Sequence, residues 1–444
     1  MKRFLALVLL AVLASCASVD YSAPAYGKSF PAYPDTSFAV ISDPHLFSKG
    51  LGVGEPAYEK IKYSDRKLWA ESEEILATAA ESVMARAPRF LLISGDLTKD
   101  GERANHEALA ASLERFVEAG IRVYVVPGNH DVLNPTPRRY EGDKEIPVPN
   151  VTPEEFASIY ARYGYGSAIA KDPSSLSYVA ELEPGLWLLA MDACRWDLNA
   201  GRKSEHTGGS FPQARVDWIR ARLEEAKAKG VAVIGMMHHG LLEHFEGQKA
   251  EFSEYVVDDH EKVARMLASY GVRVVFTGHF HALDATKAGW KDGSFVYDIE
   301  TGSLVSVPNS IRFGVISGNV LSITTELITE LPGKAYEKGF YDYSREFTGM
   351  GVIPYIVDKL TSLGAGKEES LRIAPAIAKA AVAHYEGDES FPGGEMFPTD
   401  GLSLMGSIAV NSKKGVIAAM WKDLDPPDAA FSIDLVTGNW KAAE

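Results

Sequence analysis

Five short runs of this chain place carboxylate, imidazole and amide side chains close together, in a fixed order. They are Asp43-Pro44-His45, Gly95-Asp96-Leu97-Thr98-Lys99-Asp100-Gly101, Gly128-Asn129-His130-Asp131, His238-His239 and Gly278-His279-Phe280-His281. Such side chains are ligands for hard to borderline divalent metals such as Mn, Fe or Zn, and no thiolate accompanies them. Singly each run is a weak signal: Asp-x-His recurs by chance, and GNHD fits a turn with a capping Asn. Together they share a second property. Each follows a short apolar run that reads as a strand, and in layered α/β folds loops converge into sites at the carboxyl ends of strands.

The elements that position these runs are legible in the hydrophobic pattern. Segments 37–42, 90–94, 122–126, 187–191, 231–236 and 272–277 are continuous apolar runs, as expected for buried strands. Between them, 65–86, 105–119, 212–229 and 259–270 carry apolar residues at helical spacing. In the third, Val216, Ile219 and Leu223 share one face while Arg215, Arg222 and Glu225 lie off it. The alternation predicts a largely parallel, layered sheet. Runs 295–299, 311–316 and 320–327 lack intervening helices and predict an antiparallel edge or a second sheet. After Pro332-Gly333 the pattern changes. Segments 352–363 and 370–385 predict helices, and 402–422 is compatible with a helix or a hairpin.

With the five blocks in place, residues 37–328 resemble a calcineurin-like metallophosphoesterase. The resemblance implies an α/β fold, a four-layer α-β-β-α sandwich with two metals between its sheets, followed here by a mainly helical C-terminal appendage. It implies Asp43, His45 and His281 on one metal, Asp96 bridging both, and Asn129, His238 and His279 on the other. His130 is then the GNHD histidine that binds no metal, held by Asp131. A metal pair clamps a phosphoryl group and lowers the pKa of bound water from ~15.7 to about 7, so a bridging hydroxide can attack in line at neutral pH. His130 would spread the developing charge and, as a cation, protonate the leaving alkoxide.

Within His238-His239, the family pattern His-x-Pro puts the ligand at His238, although Gly240 stands where proline is common. His239 is assigned to the substrate side or behind the ligand. His244 is a candidate for lining the substrate mouth, with an ordinary loop histidine as the alternative. His106 reads as a first-turn surface residue, and His206, His260 and His384 as ordinary histidines. Asp192, at a strand end, reads as structural, and Cys194 as an inert buried thiol.

GDLTKDGE before an amphipathic helix, GNHD-x-x-x-Pro, the His pair and GHFH resemble the cyclic-nucleotide phosphodiesterase branch of that family, including bacterial lipoproteins of class III type. The implied activity is hydrolysis of small nucleotides, 2′,3′- or 3′,5′-cyclic, supported by manganese or iron, with zinc as a further candidate. The alternatives are an envelope phosphomonoesterase or nucleotidase that scavenges phosphate, and a surface binding lipoprotein with a vestigial metal site.

Composition bounds these readings. The chain has 444 residues, 46% hydrophobic and 24% charged, as in a folded globular protein. Lys and Arg number 45 against 60 Asp and Glu, a net charge of −15, which disfavours long nucleic acids as partners. A small phosphoester remains compatible, because two divalent cations reverse the local field. Two cysteines exclude a disulfide scaffold. Lys2 and Arg3 precede an apolar run, 4–14, that would span about 16 Å as a helix, roughly half a hydrocarbon core. It ends in Leu13-Ala14-Ser15-Cys16, which resembles a bacterial lipobox. The expected organisation is a signal over 1–15, lipidation of Cys16, a tether over 16–36, a catalytic domain over 37–330 and an accessory domain over 335–444. The expected location is the extracytoplasmic envelope, the outer membrane in a Gram-negative host, with a membrane partner through the lipid.

Overall fold

The computed structural model describes residues 18–27 and 30–443. The expected signal segment and Cys16 therefore lie outside the described residues. Residues 18–27 form no regular element but lie along the helix Gln213–Lys229. The Asp20 amide donates to Gln213 Oε1 at 2.7 Å, and Arg220 Nε donates to the Ser22 carbonyl at 3.1 Å.

In chain order the strands are β1 (Thr36–Ile41), β2 (Phe90–Ile93), β3 (Arg122–Val125), β4 (Arg138–Glu141), β5 (Lys144–Pro147), β6 (Ala170–Lys171), β7 (Tyr178–Glu183) and β8 (Leu186–Met191). They continue with β9 (Ala232–Met237), β10 (Val274–Thr277), β11 (Asp284–Gly289), β12 (Phe295–Glu300), β13 (Ser310–Ser317), β14 (Val320–Leu327), β15 (Ala430–Asp434) and β16 (Trp440–Ala442). Two seven-stranded sheets result, ordered β16-β15-β14-β13-β1-β2-β3 and β11-β12-β10-β9-β8-β7-β6, beside a small β4-β5 hairpin. In the first sheet β1, β2 and β3 run parallel at one margin and the remaining pairs are antiparallel. The second has a parallel centre, β12-β10-β9-β8, with antiparallel strands at both margins.

The period-2 alternation of strands divides these residues between two interiors. Along β8, Leu186, Leu188 and Ala190 enter the space between the sheets with Phe38, Leu92 and Phe276. Their neighbours Trp187, Leu189 and Met191 face outward onto Val216, Ile219 and Leu223 of the Gln213–Lys229 helix and Val263 and Leu267 of the His260–Ser269 helix. On the other sheet the helices Ser72–Arg86 and Arg103–Glu118 supply Ile75, Leu76, Leu109, Leu113 and Phe116 to the covering layer. The order of layers is helix, sheet, sheet, helix. Strands buried on both faces are why the runs read as continuously apolar.

Three expectations change or narrow. The run 295–299, expected at an antiparallel edge or in a second sheet, forms β12 of the second sheet. There it pairs parallel with β10 as well as antiparallel with β11, which folds back as the edge and replaces the crossover helix. The helix expected from residue 65 begins at Ser72, after a turn at Trp69–Glu71, and residues 65–68 form a loop anchored where the Leu68 amide donates to the Val305 carbonyl at 2.7 Å. The C-terminal part is mainly helical (Phe340–Ser362, Lys367–Glu386, Leu404–Ala419), but its last strands extend the first sheet through β14-β15 pairing. Its helices pack on Phe245, Phe280 and Ala282. Among the described residues no helix is long and apolar enough to cross a membrane.

Candidate metal centre

The five motif runs meet at the carboxyl ends of β1, β2, β3, β9 and β10. Asp43, His45, Asp96, His279 and His281 leave these strand ends in the left-handed region, with φ of 49°, 35°, 46°, 76° and 75°. Few residues other than glycine adopt it, and it costs of order 1–3 kcal/mol each, a strain that clusters at functional sites. Two motif glycines make room for the ligands. A Cβ on Gly128 would lie 2.1 Å from Asp96 Oδ1, and one on Gly278 would lie 2.5 Å from Asp43 Oδ2.

Two groups of ligand atoms form, Asp43 with His45 and His281, and Asp96 with His238 and His279; within each they lie inside 4.8 Å of one another. Nε2 of His281 is 3.4 Å from Asp43 Oδ1, and Nε2 of His45 is 3.4 Å from that of His281. Asp96 Oδ2 stands between the groups, 3.4 Å from His45 Nε2 and 3.3 Å from His238 Nε2. Asn129 Oδ1 is 3.2 Å from His238 Nε2. Two ligands each ~2.1 Å from one cation are about 3.4 Å apart at a tetrahedral angle. Spacing alone does not require a metal, but one atom does point to a cation. Asp43 Oδ2 accepts from Ser42 Oγ and the His279 amide, whereas Asp43 Oδ1 is buried without a hydrogen-bond partner.

The surroundings orient the imidazoles, as outer partners of metal ligands do. His238 Nδ1 donates to the Ser94 carbonyl at 2.9 Å, leaving Nε2 for the cluster. His279 Nε2 donates to the Glu254 carbonyl at 3.2 Å, leaving Nδ1. His281 Nδ1 lies 2.8 Å from Ser306 Oγ.

Three sequence expectations are corrected, for Asp131, His244 and His106, and that for His239 is narrowed to the second of its two alternatives. Asp131 does not hold His130: its carboxylate accepts from the amides of Leu97, Gly128 and Thr98 and from Thr98 Oγ1, at 2.8–3.1 Å. It ties the GNHD loop to the GDLT loop. The carboxylate on His130 is that of Asp100, with Oδ1 3.1 Å from Nδ1. His239 is buried behind the ligands, its Nε2 donating to the Thr207 carbonyl at 2.8 Å, and burial drops its pKa to about 3. His244 lines no mouth; it is fully buried against Asp284, Asp298 and Glu300. His106 is also buried, donating through Nε2 to the Asp131 carbonyl at 2.9 Å, with Nδ1 2.9 Å from Tyr160 Oη. Asp192 is structural as expected, accepting from the Leu176 and Cys194 amides and Trp196 Nε1. Cys194 is buried, and burial holds its thiol well above the usual range.

Several site residues escaped the sequence reading. Lys67 brings Nζ to 3.4 Å from His130 Nε2, and Glu205 Oε1 lies 4.0 Å from the same atom. His130 itself is 15% exposed and so reachable, unlike the buried cluster beneath it. Burial and the Lys67 charge pull its pKa down, but Asp96, Asp100 and Glu205 outweigh them and hold it at about 9. Asp65-Arg66-Lys67 falls within the expected helix 65–86, and Ser64 and Asp65, both favoured N-cap residues, fit a start there. Asp100 lay inside a motif already singled out.

Beside the cluster lies a cavity of about 110 Å³, lined by Arg66, Phe252, Tyr255, Phe280, Tyr355 and Tyr385 among others. The Tyr255 ring centroid is 4.7 Å from that of His279, and Phe280 separates the two GHFH histidines. Tyr355 and Tyr385 come from C-terminal helices, so that part of the chain walls one side of the cavity.

The chain belongs to the calcineurin-like phosphoesterase family, whose model matches residues 36–283. It is thus a metal-dependent phosphoesterase of a family that binds two divalent metals. No curated protein sequence matches it. Among solved structures, it is similar to a dimetal phosphatase from Danio rerio, with 14% identity over 66% of this chain and 97% of that one and a TM-score of 0.45. It is also similar to a purple acid phosphatase from yellow lupin, with 9% identity, 70% and 54% coverage and a TM-score of 0.37. A third is the phosphopantetheinyl hydrolase of Mycobacterium tuberculosis, with 14% identity, 61% and 90% coverage and a TM-score of 0.30.

Proposed function

We propose that this phosphoesterase is a phosphodiesterase of small nucleotides, cyclic nucleotides foremost, whose 2′,3′- or 3′,5′-phosphate binds at the metal centre. The observation that carries the reading is the aromatic cavity lined by Phe280 of the ligand loop and by Tyr255, whose ring packs against that of His279. Aromatic walls suit a flat base, which stacks on such faces for about 1–3 kcal/mol. We further propose manganese or iron as the metals, and tethering at the bacterial envelope through lipidated Cys16.

Asp43, His45 and His281 would hold one cation, Asn129, His238 and His279 the other, and Asp96 both. When bound, these cations supply Lewis-acid activation of water and of the phosphoryl oxygens. The chain's own residues do the rest. Lys67 and His130 present positive charge where a phosphoryl oxygen gains negative charge. Nδ1 of His130 donates to Asp100, which fixes the ring and leaves Nε2 free to hand its proton to the leaving oxygen. Arg66 and the tyrosines position the base.

Rates on a bis-aryl phosphodiester and an aryl monoester, with manganese supplied, separate this reading from a phosphomonoesterase. The diester is expected to be preferred; a monoester preference of tenfold or more overturns the proposal. Tyr355→Ala, at a side chain half exposed on a C-terminal helix, is expected to raise KM for a cyclic nucleotide about tenfold with kcat within twofold.

A further inference from the structure

A second cluster of metal-ligating side chains lies apart from the dinuclear centre, where the C-terminal helices meet β11. Asp284 opens β11, His384 sits in the last turn of the helix Lys367–Glu386, and Glu389 follows in the next loop. One ligand atom from each lies within 4.8 Å of the others. His384 Nδ1 is 2.7 Å from Glu389 Oε1 and 3.6 Å from Asp284 Oδ2, and the three side chains are at most 1% exposed. Asp284 Oδ2, Glu389 Oε2 and His384 Nε2 are buried with no hydrogen-bond partner. Burying a carboxylate oxygen without a donor is unfavourable unless a cation answers it.

Charge sharpens the case. His244 lies between Asp284 Oδ1 at 2.6 Å and Asp298 Oδ2 at 3.1 Å, with Glu300 Oε2 at 3.7 Å. Asp423 and Asp428 adjoin the group. Burial, then the Asp284 and Glu389 charges, push Asp423 up to about 8, and burial with Asp284 holds Asp428 well above the carboxylate range. Arg312 is fully buried here, but its guanidinium is spent on the carbonyls of Glu300, Asp284 and Asp428. One guanidinium and two imidazoles thus face six carboxyl groups.

We propose that Asp284, His384 and Glu389 bind a further divalent cation, separate from the catalytic pair, that pins the C-terminal helices to the strand after the GHFH loop. One imidazole with two carboxylates and no thiolate suits zinc or manganese better than calcium or magnesium, which favour all-oxygen shells. The closed surroundings mark a structural ion. Its position has a mechanical consequence. The Leu283 amide donates to the Tyr385 carbonyl at 3.1 Å, and the amides of Ala285 and Asp388 donate to the Asp428 carboxylate at 2.8 and 2.7 Å. Phe280 packs its ring 5.6 Å from that of His384 and 5.8 Å from that of Tyr385. The ion therefore fixes the joint behind the aromatic cavity.

The test is metal content per chain by elemental analysis of the purified protein, for wild type, Glu389→Gln and His384→Gln, each alone and with Asp96→Asn. Both conservative variants are expected to lower the content by one ion per chain in either background. A thermal melt of wild type should also lose a chelator-sensitive increment that Glu389→Gln lacks. Unchanged content in both variants overturns the site and leaves a hydrogen-bonded network without an ion. Because the count needs no turnover, it stands or falls independently of the nucleotide reading.

Discussion

Oδ1 of Asp100 lies 3.1 Å from Nδ1 of His130, and the two side chains are the reachable rim of an otherwise buried cluster, each 15% exposed. His130 is held through this contact by a residue 30 positions upstream, not by its neighbour Asp131. The ring is thereby tied to the loop that also carries Asp96, so the proton-donating atom and the shared ligand move as one unit.

Asp100→Asn keeps an acceptor for Nδ1 and removes the charge. We expect kcat to fall about 10- to 100-fold on diesters with an alkoxide leaving group, and far less on an aryl diester, whose leaving group needs little protonation. Metal content should not change. Leaving-group series on wild type and variant check this; an equal loss on both substrates would reduce Asp100 to a packing role.

Asp131→Asn tests the opposite assignment. Its carboxylate accepts from three amides and a hydroxyl, and an amide side chain presents donors to some of those donors. Unfolding free energy should drop by about 2–4 kcal/mol, read by urea titration, with turnover per bound metal pair falling less than in His130→Ala.

His106 gives a pH dependence with a definite sign. Burial lowers its pKa to about 4 from an ordinary value of 6.5. The unfolded chain therefore takes up this proton first, so the contribution is complete above about pH 6.5 and is lost as pH falls toward 4, up to about 3 kcal/mol. Glutamine can reproduce the donor to the Asp131 carbonyl and the acceptor for Tyr160. His106→Gln should flatten the acid limb of stability between those pH values, measured on metal-stripped protein.

The residues that meet in the site were legible because strand ends are marked twice, by an apolar run and by the ligand that follows it. Asp43, Asp96, Asn129, His238 and His279 each needed only that local rule. What stayed hidden depended on contacts distant in sequence. Nothing near Lys67 signals that the chain at 65–68 abandons helix to bring an ammonium over His130, since the charges there look solvated. His244 and His384 are ordinary histidines until β11 brings Asp284 between them. Asp131 misled because the family resemblance set it beside His130 as its partner, while its carboxylate accepts from the backbone amides of Leu97, Thr98 and Gly128. The parallel pairing of β12 with β10 was equally invisible, because an edge strand does the work usually done by a helix.

Asp96 is the point on which the account turns, since its Oδ2 faces ligands of both metal groups at 3.3–3.4 Å. Steady-state kcat/KM of Asp96→Ala on an aryl phosphodiester, with manganese in excess and folding verified by far-ultraviolet dichroism, tests it most directly. A loss of about 10³-fold or more is predicted. Turnover within tenfold of wild type would contradict the dinuclear assignment and the mechanism built on it.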